Sequence, residues 1–173
     1  MNKKLFGGIK IFKADIFKDN RGSFKEIYKK NLINNTNFIF NCLSTSKKNV
    51  LRGLHLQTKF SQAKFITVLK GKIFDVIVDL RKNSKTFGKS FSIILSADNP
   101  KSIIVPRGCA HGFLGLEHDN VIYYLCDNYR SKKHEIGINW DDKDLAIKWP
   151  TKKPVVSLKD KNNFSFIEYK NKF

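Results

Sequence analysis

The chain has 173 residues, of which 41% are hydrophobic and 13% aromatic, and this composition supports a hydrophobic core and excludes a disordered polymer. The stretch "MNKKLFGGIKIF" lacks the uninterrupted apolar run of a signal peptide, and no window approaches the roughly 20 apolar residues of a membrane span, so we expect a cytoplasmic protein. The net charge of +18 suggests an anionic ligand, but lysine is spread almost evenly, and we therefore expect no nucleic-acid and no membrane partner.

Short runs of β-branched and aromatic residues recur along the chain, each bounded by Gly, Asn, Asp or Ser. This pattern is typical of strands, whereas helical periodicity is scarce. In chain order the predicted strands are "IKIFKADIF", "GSFKEIY", "NFIFNCLS", "NVLRGLHL", "KFITVLKGKIFDVIVDL", "KSFSIILS", "KSIIVP" and "NVIYYLC". Such spacing predicts an all-β fold of the sandwich, jelly-roll or barrel type.

A turn, a helix start and the lack of a linker complete the predicted organisation. Gly71-Lys72 separates two apolar runs, which predicts a β-hairpin over Lys64 to Leu80. Ser157 can cap a short helix covering Leu158 to Asn162. No repeat or low-complexity segment divides the chain, so we expect a single domain over residues 1–173 with a few short C-terminal helices.

The apolar segment "NVLRGLHLQ" contains two side chains, Arg52 and His55, that are costly to bury without partners. On a regular strand they point to opposite faces, so both reach one side only if the strand bends, which Gly53 permits. Two potential cations in one buried run imply an anion nearby. The alternative for His55 is an ordinary, hydrogen-bonded core histidine.

Two other polar side chains interrupt predicted strands. Strict alternation places Lys64 on the same face as Ile66 and Val68, although its ammonium group could also extend to the rim. Tyr123 and Tyr124 face opposite sides of their strand, so one of them should enter the interior and need a hydrogen-bond partner there. An ordinary core tyrosine is the alternative.

Histidines in a jelly roll raise the possibility of a metal site, because cupin-type barrels often hold a metal with several His and a Glu. "PRGCAHGF" supplies the second half of that pattern with Pro106, Gly108 and His111, but "RGLHL" has one histidine where a chelating strand would have His-x-His and a nearby Glu. We therefore predict chemistry that uses no metal and no other cofactor.

The cysteines are Cys42, Cys109 and Cys126, which are scattered, odd in number and mostly in apolar company. This distribution favours reduced core thiols over disulfides or a metal cluster.

Taken together, segments along nearly the whole chain resemble the dTDP-4-dehydrorhamnose 3,5-epimerase family. In order, they are "DNRGSFKE", "VLRGLHLQ", "QAKFITVLKGKIFDVIVDLRKNSKTFGK", "LSADN", "VPRGCAHGFLGL", "YYLCDNY", "INWDDKDLAIKWP" and "SLKD". The resemblance implies a cupin-type jelly-roll barrel, a homodimer, and epimerisation at C3 and C5 of a nucleotide-linked 4-keto-6-deoxy sugar through an enolate. A nucleotide diphosphate sugar is the expected partner molecule.

The resemblance also implies roles for individual residues. His55 matches the general base, Asp160 the carboxylate that orients it, Tyr124 the general acid, and Lys64 a group facing the sugar oxygen. The matches for substrate binding are Arg52 at the diphosphate and the further contacts Gln57, His111, Tyr129, Glu135 and Lys159. Three residues of a segment that by itself reads as a simple hairpin match positions that reach the nucleotide, in part from a strand exchanged with the partner subunit: Arg21, Phe24 and Glu26.

Three positions depart from the family pattern. Phe40 and Cys42 stand where the family usually has Gln and Asn near the nucleotide, and Arg130 stands where many members have a second tyrosine. These differences leave the nucleotide base and the exact sugar open. The alternatives are an epimerase that inverts one centre, a ketoisomerase, an enzyme for a GDP-linked 4-keto sugar, a non-catalytic nucleotide-sugar binding protein, and a basic nucleic-acid binding module.

Overall fold

The computed structural model describes residues 6–33 and 36–173, and most of its regular structure is β-strand arranged in two main sheets. Strands are numbered in chain order. The first sheet has the order β1 (Lys10–Lys13), β9 (Lys101–Val105), β6 (Lys64–Lys70), β11 (Asp119–Cys126) and β4 (Phe40–Lys47). The second has the order β12 (Glu135–Gly137), β5 (Val50–Gln57), β10 (Cys109–Gly115), β7 (Lys72–Asp79) and β8 (Ser90–Ser96), and β13 (Val155–Val156) pairs with β5 in parallel.

The remaining elements are short. β2 (Ile16–Asp19) and β3 (Gly22–Lys25) form a separate hairpin, as the sequence analysis predicted for this segment. The α-helices are α1 (Leu158–Lys161) and α2 (Phe166–Lys172), and the 3-10 turns are Phe6–Gly8, Lys30–Leu32 and Lys132–His134. Within the described ranges, no helix has the length and apolar character needed to cross a membrane.

The main core lies between the two sheets. Ile66 on β6 and Ile122 on β11 contribute from the first sheet, and Ile73, Ile77 and Phe113 contribute from the second, all nearly inaccessible to solvent. Alternate residues point into this layer, as the period of two requires. The arrangement confirms the predicted all-β jelly roll.

The outer face of the second sheet is covered by the C-terminal part of the chain. Leu54 and Val76 pack there against Ile138 and Tyr169, and the Tyr169 hydroxyl donates a hydrogen bond of 3.1 Å to the carbonyl oxygen of Leu80. This packing fixes the segment that carries α1, which begins at Ser157 as predicted.

The predicted hairpin over Lys64 to Leu80 is wrong. β6 pairs with β9 and β11 in the first sheet, whereas β7 pairs with β8 and β10 in the second. The chain changes sheets at Gly71, which has φ 78° and is packed against the backbone of Asp119, while the Asn120 side chain accepts a hydrogen bond of 3.0 Å from the Lys72 N–H. Two apolar runs around a glycine suit a hairpin and a sheet corner equally well.

Two other local expectations need correction. The segment "CAHGFLG" is a fully buried strand, β10, although the sequence analysis treated it only as a motif. The cysteines are free thiols, but only Cys109 and Cys126 are buried, whereas Cys42 is exposed. The prediction of core thiols is therefore wrong for Cys42.

Candidate active site

A cavity of about 700 Å³ is lined by residues of both sheets. One wall comes from β4, β6 and β11, the other from β5, β10 and β12, and β13 and α1 close one side. The predicted site residues that line it are Arg52, His55, Lys64, His111, Tyr124, Glu135, Lys159 and Asp160.

Arg52 and His55 reach the same cavity because β5 is irregular between them. His55 pairs with His111 of β10, whereas Arg52 pairs with Phe113, so three steps along β5 match two along β10. The irregularity includes Gly53, whose φ is 116°. This is the bend that the sequence analysis required for both side chains to share one face.

His55 is held by Asp160. The Nε2 atom of His55 lies 2.5 Å from Oδ1 of Asp160, and the carboxylate is almost completely buried. The N-cap Ser157 fixes the turn that presents it, since its hydroxyl accepts a 3.1 Å hydrogen bond from the Asp160 N–H. Burial raises the pKa of Asp160, but the hydrogen bond and charge of His55, with the N–H of Gly53 and the hydroxyl of Ser157, lower it by more, so the group stays a carboxylate.

Tyr124 approaches the cavity from the opposite wall. Its hydroxyl lies 3.2 Å from the Ser44 hydroxyl, and its ring meets the His111 ring edge-on with centroids 6.2 Å apart. Burial is the main cause that raises the pKa of Tyr124, so the phenol keeps its proton at neutral pH. Of the two adjacent tyrosines, Tyr124 is the one that enters the interior and finds a polar partner.

Lys64 lies at the start of β6, directly opposite Cys126 on β11. Burial lowers the pKa of its ammonium group, and nearby Cys126 and Glu135 oppose that effect. In the part of the chain that the structure describes, no carboxylate forms an ion pair with it. The ammonium group is therefore available to an anionic atom of a bound molecule.

The Arg52 guanidinium is positioned by β4. Its Nε donates to the Ser46 hydroxyl over 2.9 Å and its Nη2 to the Thr45 carbonyl oxygen over 3.0 Å. These bonds fix the plane of the fork while the side chain remains exposed to the cavity. A planar fork in this position suits a phosphate.

Glu135 joins two cations at the cavity edge. Arg130 donates to it through Nε over 2.8 Å and Nη2 over 3.0 Å, and Lys159 Nζ lies 2.6 Å from Oε1. The Arg130 hydrogen bonds are the largest cause that lowers the pKa of Glu135 to about 2, and Lys159 adds to the effect against the opposing cost of burial.

His111 belongs to a second, buried histidine–carboxylate pair. Its Nε2 atom lies 2.7 Å from Oδ2 of Asp75 on β7, and both side chains are nearly inaccessible. Oδ1 of Asp75 has no hydrogen-bond partner among the described residues. The pair fixes the His111 ring where it meets Tyr124.

Five predicted substrate-binding residues do not line this cavity. On the hairpin, the Arg21 side chain pairs with Asp19 over 2.6 Å and is 86% exposed, Glu26 pairs with Lys29, and Phe24 is 65% exposed.

The other two, Gln57 and Tyr129, lie outside the cavity lining. Gln57 is buried, its amide donates to the carbonyl oxygens of Phe60 and Tyr129, and its Oε1 accepts from the Ser131 N–H. Tyr129 is 64% exposed and packs against Phe40. Gln57 thus holds the loop that contains Tyr129 and leads to Arg130.

Several polar groups of the cavity and its wall were not predicted from the sequence. Ser44 carries no signal by itself, and Arg130 was noted only as a departure from the family pattern. Asp75 could have been found, because it is a carboxylate on the inward face of an apolar strand, between Ile73 and Ile77. The same anomaly drew attention to Lys64.

This arrangement can perform acid–base chemistry on a polar, anionic molecule. An oriented imidazole lies on one wall and a protonated phenol on the other, with an ammonium group in the same space. Arg52 and the paired Arg130 and Lys159 add positive charge to the cavity lining. Among residues 6–33 and 36–173, no group of three or more His, Cys, Asp or Glu side chains is placed to hold a metal ion.

Comparison of the sequence with known proteins indicates one family. The family model for dTDP-4-dehydrorhamnose 3,5-epimerase matches residues 4–168. The dTDP-4-dehydrorhamnose 3,5-epimerase of Shigella flexneri is 39% identical over 164 residues, which cover 91% of this chain and 91% of that protein.

Solved structures agree with the sequence comparison. The crystal structure of dTDP-4-dehydrorhamnose 3,5-epimerase from Elizabethkingia anophelis superposes with a TM-score of 0.89 at 39% identity and covers 97% of both chains. The dTDP-6-deoxy-D-glucose-3,5-epimerase of Legionella pneumophila, solved in complex with dTDP-4-keto-L-rhamnose, gives a TM-score of 0.87 at 36% identity, with 91% of this chain and 87% of that chain covered.

Proposed function

The chain belongs to the dTDP-4-dehydrorhamnose 3,5-epimerase family, and we propose that its cavity performs the reaction with His55 as general base and Tyr124 as general acid. The enzyme is an isomerase that inverts C3 and C5 of a dTDP-linked 4-keto-6-deoxy sugar, from the 4-dehydro-6-deoxyglucose to the 4-dehydrorhamnose form. The observation that carries the assignment of roles is the placement of His55 with Asp160 and of Tyr124 on opposite walls of one cavity.

His55 removes the protons at C3 and C5, which are acidic because both carbons neighbour the C4 ketone. An imidazole is a weak base toward a carbon acid, and each pKa unit of mismatch costs about 1.36 kcal/mol. Asp160 reduces this cost because its carboxylate orients the ring and stabilises the imidazolium that forms.

Lys64 offsets the rest of the free-energy cost of proton removal. Removing either proton gives an enolate whose charge lies on the C4 oxygen, and one well-placed donor in a dry site stabilises such charge by roughly 3 kcal/mol. The Lys64 ammonium is partly buried and forms no ion pair within the described ranges, so it is free to face this oxygen.

Tyr124 returns a proton from the other side of the sugar ring. A proton returned from the face it left would only regenerate the substrate, so acid and base must lie across the ring from each other. The phenol, held near Ser44 on the wall opposite His55, meets this requirement.

The diphosphate binds beside the cationic side chains of the cavity, Arg52 and Lys159. The Arg52 fork can bind phosphate oxygens, and Lys159 adds charge. His111 and Glu135 are further substrate contacts, and Gln57 and Tyr129 act through the loop they support. The phosphates thus provide the anion for Arg52, whereas the Asp160 carboxylate is the anion beside His55.

Solvent exchange tests the proposal. The enzyme, given dTDP-4-dehydro-6-deoxyglucose in D2O, should yield product with deuterium at C3 and C5 by NMR, whereas His55→Ala should give none and still bind dTDP. Label at one carbon would indicate a single-centre epimerase, and binding without exchange in the unaltered enzyme would indicate a binding protein. Assays with a panel of GDP-linked and dTDP-linked 4-keto sugars would identify the nucleotide base of the substrate.

The assembly is proposed to be a homodimer in which the β2–β3 hairpin reaches the partner's cavity. Phe17 and Phe24 are 59% and 65% exposed with ring centroids 6.3 Å apart, and such apolar surface favours an interface. Mixing His55→Ala with Arg21→Ala subunits should restore about a quarter of normal activity, because half of the dimers are mixed and one of their two sites is intact. No recovery after subunit exchange would exclude the shared site.

The cellular role follows from the reaction. We place the enzyme as a single domain in the cytoplasm, where its product would supply rhamnose for a surface polysaccharide such as lipopolysaccharide or capsule. Deleting the gene should remove rhamnose from that polysaccharide, and cell fractionation would locate the protein.

A further inference from the structure

Two thiols lie side by side in the wall of the catalytic cavity. Cys42 on β4 pairs with Tyr124 on β11, and Cys126 pairs with Phe40, so all four side chains share the face that lines the cavity. Cys42 and Cys126 are therefore diagonal neighbours across two strands, close enough for their side chains to meet. Both are free thiols, and only Cys42 is exposed.

The surroundings favour the thiolate of Cys42. The hydrogen bond from the Cys126 thiol is the largest cause that lowers the pKa of Cys42 to about 7, and the positive charges of Lys64 and Arg130 add to it against the cost of burial. The Tyr124 phenol, which keeps its proton, also faces Cys42. The same hydrogen bond is the largest cause that raises the pKa of Cys126, and burial adds to it.

Cys109 provides an internal comparison. It lies in the core between the sheets, and burial raises its pKa to about 12. A nucleophilic thiol must be both ionised and accessible. Cys42 is the cysteine of this chain that combines the two properties.

We propose that Cys42 is a covalent modification site that reacts with small anionic disulfides, and that the adduct blocks the nucleotide sugar. The Cys42 thiolate attacks one sulfur of the disulfide, a new S–S bond forms as the old one breaks, the other half leaves as a thiolate, and the Cys42 proton passes to solvent. Lys64, Arg130 and Arg52 favour an anionic reagent. The expected loss of activity rests on the proposed function. The adduct would lie beside Tyr124, the proposed general acid, which pairs with Cys42 across the two strands.

The test uses 5,5'-dithiobis(2-nitrobenzoate), a dianionic disulfide whose leaving thiolate is coloured. At pH 7 the folded enzyme should show a fast phase about tenfold faster than an unfolded control in urea, because an ordinary thiol is only a few per cent ionised. Cys42→Ser should remove this phase and the matched variant Cys109→Ser should retain it. Saturating dTDP should slow it, and with uncharged hydroxyethyl disulfide the rate advantage of the folded enzyme over the unfolded control should be smaller than with the dianionic reagent.

Two further measurements complete the test. Activity should fall in parallel with the fast phase and return with dithiothreitol, and Cys126→Ala should move the pH midpoint of the fast phase upward. A fast phase that survives in Cys42→Ser, that dTDP does not slow, or that leaves activity intact would overturn the proposal. If the fast phase and dTDP protection are present in an enzyme without epimerase activity, the modification site stands and the proposed function fails.

Discussion

Asp160 binds His55 from a position 105 residues further along the chain, with Oδ1 at 2.5 Å from Nε2. Two local features make the contact possible. Ser157 caps the turn that presents the carboxylate, and β13 pairs with β5 just before that turn, which brings α1 to His55. The proposed acid–base site thus depends on how the C-terminal segment docks on the second sheet.

The first prediction concerns this pair. Asp160→Asn keeps the size of the side chain but removes the charge that stabilises a protonated His55, so we expect kcat to fall by about 10²- to 10⁴-fold while dTDP binding changes little. NMR assays of reactions stopped at set times would measure kcat, and calorimetry would measure dTDP binding. Asp141→Asn, an exposed carboxylate outside the cavity, is the matched control, and a kcat equal to that of the control would remove Asp160 from the mechanism.

The strands were largely predictable because β-branched and aromatic runs with short breaks report on local structure. Sheet membership was not, and Gly71 illustrates why. The residue ends one strand and begins another in either topology, and the contact with Asp119 and Asn120 that makes it a corner comes from a segment about 50 positions away. Local pattern contains no information on such pairings.

The candidate site, like the fold, was predictable from the sequence only in part. Arg52, His55 and Lys64 stood out because polar groups in apolar strands need partners, and the same argument could have found Asp75. The partner of His55 was not deducible from spacing, and only the family resemblance indicated Asp160. Arg130 and Ser44 lie in segments where polar residues are unremarkable, so their place in the cavity became visible only once the chain was folded.

The second prediction separates proton removal from proton return. Tyr124→Phe removes the proposed general acid but leaves His55 and Lys64 in place, so the substrate should still exchange its protons with D2O while epimerised product falls by about 10²-fold or more. NMR of substrate and product would follow both. Tyr123→Phe, on the opposite face of the same strand, should behave like the unaltered enzyme. Loss of exchange together with epimerisation would mean that Tyr124 does more than return the proton.

The third prediction concerns activity at high pH. Burial lowers the pKa of Lys64 below its ordinary value of 10.5, whereas burial raises the pKa of Tyr124, so Lys64 loses its proton first as pH rises. Activity should therefore decline on the alkaline side below the pH at which an exposed lysine titrates. Lys64→Arg should move this decline to higher pH. Lys64→Gln should lower kcat by about 10²-fold and should abolish the alkaline decline. An unchanged alkaline limb in Lys64→Arg would assign it to another group.

The fourth prediction links Glu135 to stability. Its pKa falls from an ordinary 4.5 to about 2 in the folded chain, and its side chain is only 12% exposed, which corresponds to about 3 kcal/mol of stability. Because the folded value is the lower one, this contribution is present above pH 4.5 and is lost as pH falls toward 2. Urea unfolding should show Glu135→Gln less stable by about 3 kcal/mol at pH 7 and by much less near pH 2.

The control for that experiment is Glu117→Gln. Glu117 pairs with Lys72 over 3.1 Å at a site where the two side chains are 51% and 41% exposed, so its loss should cost less than about 1 kcal/mol at every pH. A difference between the unaltered protein and Glu135→Gln that stays constant between pH 7 and pH 3 would mean that Arg130 and Lys159 stabilise the fold by packing rather than by charge.

The last prediction tests the sheet corner. Gly71 and Gly8 both have positive φ, 78° and 82°, but a Cβ at position 71 would overlap the Asp119 carbonyl oxygen, whereas the nearest atom to a Cβ at position 8 is Cγ of Pro106 at 3.8 Å. Gly8→Ala should therefore cost about 1 kcal/mol for backbone strain alone. Gly71→Ala should cost about 3 kcal/mol because the crossing between the sheets must also shift. Equal losses in urea unfolding would show that the contact with Asp119 yields easily and that strain in the glycine backbone is all that fixes the corner.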